Sequence, residues 1–145
     1  MFSITARLDA KISPDDLLVA YGLERGGRVQ KVIDQKVIDY CKPYTPASPD
    51  RTLEFSAQMS TEIGSGRVIW NTPYAQYQYY GLVMTDEAGR TWVGPGEKKP
   101  VITDRPLIYD TAQNPLAGSY WFERMKADRL NDILDEARRV MIQGE

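Results

Sequence analysis

Two amphipathic helical patterns constrain the fold of this chain more than any other feature of its sequence. The C-terminal apolar residues recur at the three- and four-residue spacing of one helical face, namely Leu130, Ile133, Leu134, Ala137, Val140 and Met141. Residues 29–41 follow the same spacing. Each helix must bury its apolar face, and 145 residues with 42% apolar content suffice for one core. We therefore predict a single domain, residues 1–145, built around helices over about 29–41 and about 119–142.

Between these helices the apolar period changes from that of a helix to that of a strand. Residues 53–63 alternate apolar and polar side chains, which predicts a half-buried strand. Gly64-Ser65 then suits a tight hairpin turn, with a return strand over 67–70. A second hairpin is predicted from residues 82–84 and 91–93. The predicted fold class is α+β, with a small antiparallel sheet packed against the N-terminal-half helix and the long C-terminal helix.

The first twenty residues predict two short elements. Residues 4–8 alternate in polarity and predict a brief strand. Ser13 is followed by proline and two aspartates, the composition of a helix start. We expect a helix over about 14–21 that buries its apolar side chains, Leu17, Leu18 and Tyr21.

A tyrosine-rich stretch, residues 70–81, is predicted to form a short helix. Asn71 or Thr72 is placed to cap it, Pro73 suits its first turn and Gly81 suits a left-handed end. The helical spacing puts one group of tyrosines on a shared face with Tyr79 beside it, namely Tyr74, Tyr77 and Tyr80. Such rings suit a contact with another protein, and they equally suit packing of the helix onto a sheet. Both interpretations stay open at this point.

The composition excludes several kinds of chemistry. The chain has no histidine, so it lacks the usual general base and the commonest metal ligand. Cys41, its only cysteine, falls on an apolar helical stripe and is interpreted as a core residue rather than a nucleophile. Residues 94–99 have glycines and lysines without the order of a phosphate-binding loop. We therefore predict no catalytic residue, no metal site and no cofactor.

Charge and hydropathy limit the partners. The formal net charge of -2 argues against a free-standing nucleic-acid-binding protein. The sequence has no apolar run long enough to span a bilayer, and residues 1–5 do not read as a signal peptide. We expect synthesis in a reducing cytoplasm and no membrane partner.

Two clusters of charged residues leave alternatives open. Asp132 with Asp135 or Glu136 is the best carboxylate pair for a hydrolase or magnesium site, but neighbouring arginines favour a solvated helix face. The basic cluster is interpreted as a solvated loop or as a contact with DNA or an acidic partner, and it comprises Lys98, Lys99 and Arg105.

Three segments in this order resemble the minor capsid or tail-completion proteins of tailed bacteriophages, the head–tail connector type. The first is a helix end that reads Tyr40-Cys41-Lys42-Pro43-Tyr44-Thr45-Pro46. The second is the stretch Val68-Ile69-Trp70-Asn71-Thr72-Pro73-Tyr74-Ala75-Gln76-Tyr77-Gln78-Tyr79-Tyr80-Gly81. The third is the helix start Gly118-Ser119-Tyr120-Trp121-Phe122-Glu123-Arg124-Met125-Lys126. The family commonly has a glycine shortly before the leucine that matches Leu53, where this chain has Arg51 and Thr52.

The resemblance implies a structural protein of the virion, made in the bacterial cytoplasm, without enzymatic activity. Such a neck or tail-completion subunit joins the DNA-filled head to the tail, contacts other connector and tail proteins, and commonly forms a homo-oligomeric ring. DNA passes through the ring without specific binding. Two other functions remain open, a carboxylate-dependent, metal-assisted hydrolase and a non-viral adaptor that uses the same aromatic surface.

The predicted interface residues combine the aromatic helix with the loop that follows it. They are Tyr77, Tyr80, Trp92, Lys98 and Lys99. Residues 85–99 are predicted to become ordered on assembly. Tyr74 and Trp121 are predicted to belong to the core.

Overall fold

The computed structural model of the chain describes residues 2–3, 13–92, 94 and 96–144. In chain order its elements are α1 (Pro14–Ala20), α2 (Arg28–Cys41), a 3-10 helix (Lys42–Tyr44), α3 (Thr52–Ser60), α4 (Ala75–Tyr80), β1 (Leu82–Thr85), β2 (Val101–Pro106) and α5 (Trp121–Gln143). The predicted α+β class with a small antiparallel sheet is confirmed. The strand predicted over residues 4–8 lies outside the described residues. None of the helices described has the length and apolar content needed to cross a bilayer.

Helices α2 and α5 pack side by side in opposite directions. Val29 at the start of α2 packs with Val140 near the end of α5. Cys41 at the end of α2 shares a cluster with Trp121 and Met125 at the start of α5. This antiparallel pair buries most of the two apolar stripes, although Leu130 and Leu134 of α5 stay 40% and 38% exposed. Both helices predicted from the apolar period are confirmed.

Trp121 joins the helix pair to the tyrosine-rich stretch. It is fully buried, as predicted, and its ring meets the rings of Tyr79 and Trp70 edge-on at centroid distances of 4.7 and 5.7 Å. The backbone N–H of Tyr120 also donates to the carbonyl of Tyr79 at 2.8 Å. Tyr74 is half-buried against the same cluster. The start of α5 and the end of α4 are therefore held together by both packing and hydrogen bonding.

The strand predicted over residues 53–63 is wrong, because most of this segment forms α3. Leu53 and Ala57 are buried at a spacing of four, whereas Phe55 and Met59 are 50% and 86% exposed. In an alternating pattern the apolar positions i and i+4 point the same way. Residues four apart also share one face of a helix, so the same pattern fits a helix. Leucine, glutamate, alanine, glutamine and methionine are strong helix formers, and this preference agrees with the helical outcome.

The sheet is formed by later residues than the sequence indicated. β1 pairs antiparallel with β2, with Leu82 opposite Pro106 and Thr85 opposite Val101. Residues 67–70 belong to no strand, so the first predicted hairpin is wrong. β1 coincides with the predicted strand over 82–84, but it pairs with β2 and not with residues 91–93. Neither Thr91 nor Trp92 is in a strand, and Val93 lies outside the described residues.

The observed turn is centred on Ile63 and Gly64, one residue earlier than predicted, and a buried carboxylate holds it. One Asp34 carboxylate oxygen accepts hydrogen bonds from the backbone N–H groups of Gly64 and Gly66 at 2.8 and 3.1 Å. The other accepts from the amide of Gln30 at 2.8 Å. Asp34 is buried although it is charged, because the turn covers its side of α2 and the N–H groups of the turn need an acceptor there.

Helix α1 lies where it was predicted but buries none of its residues. The expected burial of Leu17, Leu18 and Tyr21 is therefore wrong. A capping box between Ser13 and Asp16 starts the helix, and the Arg28 guanidinium donates to the Ala20 carbonyl at its end. These local hydrogen bonds account for a helix without a buried apolar face.

Replacing Asp34 should destabilise the fold strongly. In Asp34→Ala the N–H groups of the turn lose their acceptor, so we expect the free energy of unfolding to fall by about 3 kcal/mol in urea titrations. The matched control is Asp39→Ala on the same helix, where a partly exposed carboxylate pairs with Lys42. That change should cost about 0.5 kcal/mol or less. Equal losses in the two variants would contradict the role assigned to Asp34.

Candidate functional site

One cavity of about 800 Å³ lies between α4, the sheet and the loop that joins the two strands. We call it the aromatic–lysine cavity. Its principal lining residues are Tyr74, Tyr77, Met84, Trp92, Lys98 and Lys99. The apolar body with a few charged groups is the composition of a binding site rather than of a solvated surface.

Helix α4 positions two of the rings. Its first residue follows Tyr74, and Gly81 ends it in the left-handed conformation with a φ of 74°, as predicted. The Tyr74 and Tyr77 rings lie 6.4 Å apart between centroids. The expected side-chain cap from Asn71 or Thr72 is not formed; instead the Ala75 N–H donates to the Thr72 carbonyl at 3.1 Å.

Hydrogen bonds of the acidic side chains shape the loop that closes the cavity. Asp86 accepts from the backbone N–H of Arg90 at 2.7 Å and from its guanidinium at 2.6 Å. The backbone hydrogen bond from Arg90 lowers the pKa of Asp86. Glu97 accepts from the Gly94 N–H at 3.1 Å and lies 3.9 Å from Arg90. Asp86 and Glu97 are thus engaged locally, whereas Glu87 of the same loop is exposed.

The two lysines of the cavity are left with their positive charge largely uncompensated. Neither Lys98 nor Lys99 has an ion pair with any residue that the structure describes. The Lys99 ammonium lies 4.7 Å from the centroid of the Tyr77 ring, within the range of a cation–π contact. Burial raises the pKa of Tyr77, so its hydroxyl stays protonated at neutral pH and can donate a hydrogen bond.

The structure brings together four of the five interface residues predicted from sequence. Tyr77, Trp92, Lys98 and Lys99 all line the cavity, and Trp92 is 79% exposed. Tyr80 lies apart, with its ring against those of Tyr79 and Tyr120 at 5.7 and 6.0 Å. The role of the five predicted residues at an interface remains a prediction.

Sequence reasoning missed two apolar residues of the cavity, Met84 on β1 and Ile102 on β2. They are paired residues in the sheet, since Met84 stands opposite Ile102. Only the pairing of the strands brings them to the same site. The sequence pattern gave no signal for that pairing, because β2 contains Asp104 and Pro106, which obscured the strand.

The carboxylates considered for catalysis form a solvated helix face, as the neighbouring arginines indicated. On α5, Asp132 pairs with Arg129 at 2.5 Å and Asp135 pairs with Arg138 at 3.1 Å. Glu136 pairs with Arg139 at 2.9 Å, and this hydrogen bond lowers the pKa of Glu136. Within the residues described, no group of three acidic or cysteine side chains is placed to hold a metal ion.

Cys41 is a buried core residue, as predicted. It is almost completely shielded from solvent between α2 and the start of α5. Burial raises the pKa of its thiol to about 12. The thiolate is therefore scarce at neutral pH, and the alternative of a nucleophilic role has no support from this environment.

Comparison with known proteins gives no match: no family model, no curated protein and no solved structure matches the chain. The resemblance to connector proteins therefore depends on the three sequence segments described above.

The Cys41 thiol should be unreactive in the folded protein. With a pKa of about 12 instead of 9.0, its thiolate fraction is about 1,000-fold below that of an ordinary cysteine. We expect labelling by a disulfide reagent at pH 8 to be slower in the native state than in denaturing urea by at least that factor. Rapid labelling of the folded chain would contradict the burial of this thiol.

Proposed function

We propose that the chain is a structural protein of a tailed-phage virion, a neck or tail-completion subunit that joins the DNA-filled head to the tail. The observation that supports this best is the aromatic–lysine cavity, where four residues chosen as interface residues from sequence lie together. The class of protein is proposed from the three segments that resemble connector proteins in the same order. The proposal includes synthesis in the bacterial cytoplasm, incorporation into the virion and no enzymatic activity.

The chemistry of the cavity suits a protein interface. Trp92 presents a large, rigid ring to solvent, and Tyr77 lines the cavity with a half-buried ring and a hydroxyl. Such side chains bury much area and have few rotatable bonds to restrict on binding. Lysines at the rim steer an acidic partner and fix its orientation more than they add affinity.

The loop between the strands is the proposed adaptable part of this interface. It contains Trp92, Lys98 and Lys99 and is held by local contacts of Asp86 and Glu97 rather than by burial in the core. In our proposal residues 85–99 become ordered on assembly, when a neighbouring subunit covers them.

The charge of the chain is compatible with a ring that surrounds DNA. With 18 basic and 20 acidic residues, the subunit has no basic excess that would hold the DNA backbone. In the proposed homo-oligomeric ring DNA therefore passes without specific binding. The partners are the neighbouring connector and tail proteins.

The proposal can be tested by electron microscopy of a lysate from a phage that lacks this gene. We expect separate full heads and tails that join when purified protein is added. Joined particles in the absence of the protein would refute the connector role. The adaptor alternative, which would use the same surface, would then become the leading one.

Trp92 should matter for joining without mattering for stability. Loss of an aromatic anchor should cost about 2 kcal/mol or more of interface energy, so Trp92→Ala should lower joining in the lysate about 30-fold. Its melting temperature should stay unchanged, because the side chain is mostly exposed. The control is Met59→Ala on α3, an exposed apolar residue outside the cavity, which should join normally. Normal joining by the Trp92 variant would remove this residue from the interface.

A further inference from the structure

Helix α1 and the residues just after it present a second group of exposed apolar side chains. From Leu17 to Leu23 five apolar side chains are 40–57% exposed, namely Leu17, Leu18, Val19, Tyr21 and Leu23. A contiguous apolar segment of this kind usually marks a contact site. The same segment, residues 13–23, contains Asp15 and Asp16 and no basic residue. It is therefore apolar and acidic at once.

The aromatic–lysine cavity has the opposite charge and a similar apolar character. Its lysines have no ion pair with any residue in the described part of the chain, and Glu97 is engaged by Gly94 and Arg90. A volume of about 800 Å³ accommodates several side chains. The acidic and apolar side chains of the α1 segment are thus complementary to the basic and apolar side chains of the cavity.

These two surfaces lie at opposite ends of the molecule. The N–H of Val29 donates to Gly22, and Arg28 links Ala20 to the carbonyl of Val140, so α1 sits at the C-terminal end of α5. The cavity is built on α4, which Tyr79 anchors on Trp121 at the other end of α5. A helix of 23 residues is about 34 Å long, so α1 cannot reach the cavity of its own chain.

We propose that the apolar–acidic segment around α1 of one copy docks in the aromatic–lysine cavity of a second copy. In this contact Leu17, Leu18 and Tyr21 cover the rings of Tyr77 and Trp92, and Asp15 approaches the two cavity lysines. Asp16 stays in its capping box with Ser13, which holds the helix in shape. The contact rests on the proposed function as a ring subunit and specifies how its copies meet.

The placement of the two surfaces permits an assembly that repeats. Different surfaces at opposite ends of one chain can pair head to tail, so that the cavity of each copy receives the segment of the next copy. Repetition of such a contact closes into a ring when the rotation between copies permits it. Each copy then has both its apolar segment and its cavity covered.

Sedimentation velocity of the purified full chain, over about 10 to 500 µM, tests the contact. We expect concentration-dependent association of the unmodified protein. Asp15→Lys places like charges in the contact, and so does the double variant K98E/K99E. Each should weaken association about tenfold or more. An equimolar mixture of the two variants should restore it, because every mixed contact again pairs opposite charges.

Matched variants separate the contact from the general effect of charge. Asp104→Lys reverses one exposed acid outside the cavity, and K31E/K126E reverses two exposed bases that also lie outside the cavity. Both should associate like the unmodified chain. For the apolar part, Leu18→Ser should weaken association whereas Met59→Ser should not. Circular dichroism and melting temperature verify that each variant is folded.

Three results would overturn the proposed contact. They are a monomeric unmodified chain throughout the concentration range, equal loss in the variants and their controls, or no recovery in the mixture. The lysate experiment decides the proposed function separately. A monomeric chain that still joins heads to tails refutes only this contact, and a self-associating chain that joins nothing refutes only the connector role.

Discussion

The burial of Trp121 is the interaction on which the arrangement of the other elements depends. Its ring closes the cluster between α2 and α5 and receives Tyr79 and Trp70 edge-on. Its indole N–H has no acceptor among the described residues, which costs about 1–3 kcal/mol. The contacts of so large a ring outweigh this cost, because a buried aromatic side chain removes 150–250 Å² from water, about 4–6 kcal/mol. Together with the hydrogen bond from Tyr120 to Tyr79, these contacts fix α4 and the cavity on the helix pair.

The sequence predicted those parts of the fold that one amphipathic segment determines by itself. The helical spacing of apolar residues in α2 and α5 continues over enough residues to exclude a strand. The segment that became α3 was too short for this, since its alternating pattern also fits one face of a helix. Asp34 could not be recognised as buried, because its partners are N–H groups of a turn thirty residues later in the chain. Long-range contacts of this kind leave no mark in the local period.

The candidate site was predictable in its chemistry and not in its full geometry. The tyrosine-rich helix and the basic cluster after it indicated Tyr77, Lys98 and Lys99, and Trp92 was predicted with them. Tyr80 was grouped with Tyr77 by helical spacing, whereas its ring lies outside the cavity, against those of Tyr79 and Tyr120. The apolar residues that the sheet contributes became visible only with the pairing of β1 and β2.

The fold separates a rigid frame from the surfaces that it carries. The antiparallel pair of α2 and α5 fixes the distance between its two ends, and each end carries one exposed apolar surface. Exposed apolar surface is costly in water and promotes association, so a chain that keeps two such surfaces gains free energy when both are covered. Because the cavity is closed by a loop, changes in that loop can alter the partner without disturbing the helix pair. In an assembly of identical copies the length of α5 would then set the spacing between successive contacts, and the loop would set what they recognise.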